Sequence, residues 1–197
     1  MQIKEITIDN FKGIDNLTIK PKMINLIVGK NNTCKTSLLE AIDLSFNTKK
    51  IKVNYGKHIS GIINIYSNES EISLLTDKNE TKIKLRKPKT TDTSLLKKEL
   101  IENFKKNTKE FHKKIKFTAE TDKEMEKIVD DCLDEELISE LLKESIIVVK
   151  DEKEKLYSSF GLKKTRFFLE TIVKSFTEKL NKKFKIKIPK SVFFSYS

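Results

Sequence analysis

The stretch INLIVGKNNTCKTSLLEAI, Ile24 to Ile42, constrains this chain more than any other. The dense apolar run from Met23 to Val28 reads as a strand covered on both faces. A turn opens at Gly29, and from Lys35 to about Asn47 the apolar residues Leu38, Leu39, Ile42 and Phe46 are expected on one helical face. Strand, glycine turn and helix, in that order, is how a phosphate-binding loop is written.

That loop has the pattern G-x-x-x-x-G-K-[ST], in which backbone N–H groups turn inward around phosphates and the helix N-terminus adds its positive dipole end. Here it reads Gly29-Lys30-Asn31-Asn32-Thr33-Cys34-Lys35-Thr36, with Ser37 next. These residues are the candidate cofactor-binding set. The cofactors expected are ATP and Mg2+: Lys35 would reach the β and γ phosphates, and the Thr36 hydroxyl would bind the metal. Asn31 and Asn32 would shape the loop through side-chain to backbone bonds. The bland alternative is an ordinary strand-turn-helix with a polar turn.

Cys34 stands where the pattern has its second glycine. A Cβ there would crowd the phosphates, and the backbone there favours glycine. Weakened affinity is the expectation, with oxidation or alkylation of the thiol blocking the loop and Cys34→Gly strengthening it. A tolerated, neutral substitution is the alternative.

At 197 residues the chain is long enough to bury a real core, and 12 Phe against 5 Gly and 3 Pro argue for packed, regular structure. The start, MQIKEI, alternates polar and apolar without a secretion-type apolar run, and no stretch of about eighteen apolar residues occurs, so a cytoplasmic protein without a membrane span is expected. Cys34 and Cys132 lie far apart with no metal-ligand spacing. The net charge of +11 invites a nucleic-acid reading, but among 40 basic residues only Arg86 and Arg166 are arginine, the side chain that reads phosphate and bases bidentately. Lysine at this density points more to composition bias than to a dedicated patch.

Along the chain, residues 2–9 and 14–20 alternate with period two and read as a hairpin around NFKG. Further alternating runs at 61–66, 71–76 and 81–87, separated by SNES and DKNE, read as an antiparallel meander. Pro88 and a Thr-rich stretch mark a boundary near residue 92. Residues 93–144 have helical period and divided charge: 97–116 carries eight Lys against three Glu, whereas 120–144 carries eleven acids against three Lys. The blocks could pair as a helical hairpin or simply be solvated faces. SIIVVK and KLYSSF return to strand pattern around DEKE, residues 163–183 read as a basic amphipathic helix, and SVFFSYS reads as a last strand. The organisation expected is a mixed α/β fold: a core over 1–92, a charged helical insertion over 93–144, and a return to the core over 145–197.

Residues 1–45 also resemble the amino-terminal lobe of the ABC-type P-loop ATPases of the SMC, RecF, RecN and OLD-nuclease group. Asn10, Phe11, Lys12 and Gly13 match that group's turn after the first strand, and Asn25, Gly29, Asn31, Lys35, Thr36, Leu39, Glu40 and Ala41 match its loop and helix. The resemblance implies that Lys12 lies beside the nucleotide, the alternative being a solvated turn lysine, and that the fold is a P-loop lobe with an antiparallel meander and a helical insertion. It further implies links to DNA repair or defence, and nucleotide-dependent homodimers.

The same resemblance implies parts that turnover needs: a Walker B acid pair, a signature loop from a second subunit, a metal-watching glutamine and a switch histidine. Gln2 is the one glutamine, and His58 and His112 read as surface residues. The acids of IIVVKDE, Asp151 and Glu152, are better explained as a hairpin turn. The chain is therefore expected to be a lobe lacking its carboxy-terminal half, binding ATP without hydrolysing it alone. The alternative is a degenerate, non-enzymatic module that binds a protein partner or nucleic acid through its charged helices.

Overall fold

The computed structural model of the protein describes residues 2–51, 56–111, 123, 126–127, 129–131, 133–158 and 178. The expected basic helix at 163–183, Glu178 apart, the expected last strand at 191–197, and Cys132, His112 and Arg166 lie outside the described residues. The chain divides into two compact units, Met1–Lys89 with Leu142–Ser159, and a second that includes Thr90–Leu141.

The first unit is built on a six-stranded sheet in the order β2-β1-β3-β4-β5-β6, antiparallel throughout. Its strands are β1 (Ile3–Phe11), β2 (Ile14–Ile19), β3 (Glu69–Thr76), β4 (Glu80–Arg86), β5 (Ser145–Lys150) and β6 (Lys153–Ser158). In β1, β3 and β4, period-two alternation puts one set of side chains inward. Ile6 pairs with Leu74, Ile8 with Ile72, and Ile72 with Ile83. All five are buried. The other face is laced by cross-strand ion pairs, Lys82 with Glu71 and Lys84 with Glu69, both at 2.6 Å.

Helix α1 (Lys35–Phe46) packs against β1, β3 and β4 through Leu38, Ala41 and Leu44. Each buried leucine contributes roughly 1.5–3 kcal/mol by removal from water. The helix differs from its expected face: Leu38 is buried and Ile42 partly so, whereas Leu39 is 57% and Phe46 50% exposed. Leu39 and Phe46 are seven residues apart, two helical turns, so they form a second apolar stripe away from the sheet. At the far end the Lys150 ammonium on β5 donates to the Ser45 carbonyl at 3.3 Å, placing a cation at the negative end of the helix dipole.

Two expected strands are absent. Residues 61–66 form the end of a 3-10 segment, Gly56–Ile62, followed by a single bridge between Ile63 and Phe11 and a turn. Ile62 and Ile63 are both buried, Ile62 at the end of the 3-10 segment and Ile63 at its single bridge to Phe11. The run at 23–28 is likewise no strand: Met23 is 95%, Ile24 86%, Leu26 86% and Val28 77% exposed. A fully apolar strand needs neighbours on its edges and layers on both faces. The hairpins of the antiparallel sheet pair with one another and give this run neither. Locally, Asn25 folds back on Lys22, its side chain accepting from the Lys22 N–H and donating to the Lys22 carbonyl, both at 2.8 Å.

In the second unit, α2 (Thr93–Phe111) carries part of the basic block. Its Lys97 meets Asp130 of the acidic block at 2.5 Å, a direct link between the two. Helix α3 (Glu135–Lys143) starts at Asp134, whose carboxylate accepts from the Leu137 N–H at 2.8 Å, with Glu135 and Glu136 in its first turn and Lys143 in its last. Among the described residues no helix is long and apolar enough to cross a membrane.

Candidate functional site at the head of α1

The loop from Gly29 to Cys34 leaves the exposed apolar run and ends at the first turn of α1. Asn32, at φ 63°, and Cys34, at φ 59°, are both left-handed. For Asn this is an ordinary turn conformation. Cysteine there bears a penalty of about 1 kcal/mol that glycine would not. The Thr33 hydroxyl donates to the Lys30 carbonyl at 2.8 Å. A Cβ on Gly29 would stand 2.7 Å from the Thr33 Oγ1, so a side chain at position 29 would make the Thr33 hydroxyl shift.

Lys35 folds back over this loop. Its ammonium donates to the carbonyls of Gly29 at 2.8 Å and Lys30 at 2.5 Å, and lies 3.3 Å from the Thr33 hydroxyl. Thr36 is exposed and Ser37 half-buried, in a first helical turn whose N–H groups have no partner within the helix. The structure thus brings Gly29, Lys30, Thr33 and Lys35 into one hydrogen-bonded group. Asn31 is exposed in the turn beside Asn32.

The β1–β2 turn forms a second wall. Asn10 and Lys12 are left-handed, at φ 53° and 52°. The Lys12 N–H donates to the Ile62 carbonyl at 2.8 Å, and the Asn64 N–H to the Asn10 carbonyl at 2.9 Å. Asn64 also donates from its side chain to Asp15 at 2.7 Å. Phe11 is fully buried between these contacts. The Lys12 ammonium is ion-paired with Glu40 of α1. Cys34, a free thiol, is half-buried against the core, with its Sγ beside Gly13.

Sequence reasoning missed three contributors, Gly13, Glu40 and Asn64. Glu40 and Gly13 stand in the motif, but a spacing pattern does not say which motif residues touch one another. Asn64 lay hidden in a stretch read as strand. The acids Asp151 and Glu152 form the two-residue turn between β5 and β6, with Lys150 paired to Lys153 and φ of 51° and 61°. They belong to a type I′ hairpin turn.

The loop, the helix and the sheet belong to one family: the model of the AAA ATPase domain matches residues 1–196, and the chain is a member. Membership suggests ATP binding. A search of curated proteins gave no match.

Proposed function

We propose that the Gly29–Thr36 loop holds the phosphates of Mg2+-ATP. The observation that carries the reading is the ammonium of Lys35, held among the Gly29 and Lys30 carbonyls at the head of a twelve-residue helix. A cation poised at a helix N-terminus, over a loop with left-handed residues and a glycine whose added Cβ would crowd the Thr33 hydroxyl, is chemically suited to a polyphosphate. Lys35 exchanges its carbonyl partners for β and γ phosphate oxygens. The amides of the loop and first turn bind the same anion, with Lys30, Asn31, Asn32, Thr33, Cys34 and Ser37 along its path. The Thr36 hydroxyl binds Mg2+, whose role is to neutralise phosphate charge. Lys12 orients α1 through Glu40 and lies on the nucleotide side of the turn.

The protein binds ATP without turning it over alone. Hydrolysis takes positioning and charge stabilisation by several groups at once, and Asp151 and Glu152 sit in a hairpin turn. A further lobe or second subunit of the RecF, SMC or OLD kind supplies the rest, for work in DNA repair or defence in the cytoplasm. Support for such a partner is the exposed apolar run Met23–Val28, whose five apolar residues follow closely in sequence and leave between 43% and 95% of their surface to solvent. Calorimetry of Mg2+-ATP binding tests the first claim, and phosphate release the second. Steady release by the isolated chain would defeat the claim of incompleteness.

A further inference from the structure

Gly13 has an unusual neighbourhood. Among the described residues, a Cβ built on it would meet one heavy atom within 4 Å beyond its chain neighbours, the Cys34 Sγ, and that at 2.7 Å. Its φ lies outside the left-handed region, so an alanine there faces no backbone penalty. The thiol is the obstacle. Nor can the turn retreat to make room. Its backbone is tied to Ile62 and Asn64, Phe11 is fully buried, and Lys12 is paired to Glu40. Cys34 cannot retreat freely either: its carbonyl accepts the first helical bond, from the Leu38 N–H at 3.0 Å, and its next neighbour is Lys35.

We infer that Gly13 is a positioning residue for the phosphate loop and acts through Cys34: the side chain missing at 13 makes room for the side chain gained at 34. The inference rests on the nucleotide-binding reading of the loop for its functional consequence. With the Sγ seated against the β1–β2 turn, the cysteine's bulk stays off the face where Lys35, Gly29, Lys30 and Thr33 converge. An alanine at 13 takes that seat. The thiol must then swing into another staggered position or carry its backbone with it, and either movement displaces the residue directly before Lys35. The relation also revises what a cysteine in this loop means. Glycine at 34 brings little gain in affinity while Gly13 is present.

The test is a double-mutant cycle on Mg2+-ATP affinity, with the Cys34 reaction rate toward an aromatic disulfide reagent as a second readout, all in a Cys132→Ser background of the full chain. Gly13→Ala is expected to weaken ATP binding about tenfold or more and to speed the thiol reaction several-fold. Gly13→Ala/Cys34→Ala is expected to bind within about threefold of Cys34→Ala, because the obstacle is gone. If Gly13→Ala does not fold, the double variant must fold. An unchanged affinity and thiol rate in Gly13→Ala overturns the inference, as does a double variant no better than Gly13→Ala. If the parent chain binds no ATP, the nucleotide reading fails, and the thiol rate still decides whether Gly13 seats Cys34.

Discussion

Lys12 in the β1–β2 turn and Glu40 in the second turn of α1 form an ion pair that fastens the sheet to the helix behind the phosphate loop. Both side chains are about three-quarters buried, at 27% and 28% exposure. A pair with this much remaining solvent contact is worth about 0.5–1 kcal/mol. Lys12→Met and Glu40→Gln, singly and together, should show that coupling in urea unfolding. Strictly additive losses would mean that the two side chains do not work as a pair.

Leu26 lies in the most apolar run of the chain and is 86% exposed. Leu26→Lys should therefore change stability by less than about 0.5 kcal/mol, whereas Leu44→Ala, in the core at 2% exposure, should cost about 2–5 kcal/mol. Thermal unfolding of the two variants compares them directly. A large loss in Leu26→Lys would place that residue in a core.

The β5–β6 turn has two non-glycine residues with positive φ. Replacing Asp151-Glu152 with Asn-Gly suits a type I′ turn and should stabilise the chain by about 0.5–1 kcal/mol. ATP affinity should be unaffected, since these acids have no part in the proposed binding site. A marked loss of binding would reopen a catalytic role for them.

Two cross-strand pairs set the pH dependence of the outer sheet face. The bond from Lys84 holds Glu69 below its ordinary 4.5, with Lys89 and Arg86 adding to the effect and desolvation opposing it. A lowered carboxylate pKa gives stability that is present above pH 4.5 and lost as the pH falls through the folded value. Glu71, through its hydrogen bond and its charge, raises Lys82 above 10.5, so that contribution is present below 10.5 and lost as the pH rises through the raised value. Lys84→Gln should flatten the acid limb of stability below pH 4.5 and leave the alkaline limb in place. Both effects are small at such exposed positions.

The hairpins were legible because their signal is local. Alternation in β1 through β4, the dense apolar run of β5 and the turn chemistry of DKNE and DEKE depend on neighbours in sequence. The run at 23–28 failed for the opposite reason: apolar density predicts that a segment wants covering, not that the same chain covers it. Residues 61–66 failed because their β-branched composition imitates a strand, whereas the segment ends a 3-10 helix and meets the sheet through one bridge, Ile63 to Phe11. At the site, the motif located the loop and Lys35, but the Gly13–Cys34 contact joins residues 21 positions apart and carries no periodic signal.

The central claim is that Lys35 and its loop hold Mg2+-ATP, and titration calorimetry of the parent chain against Lys35→Ala tests it most directly. The parent should bind saturably, and Lys35→Ala should weaken binding about tenfold or more. No saturable binding by the parent, or equal affinity in the two proteins, would contradict the account.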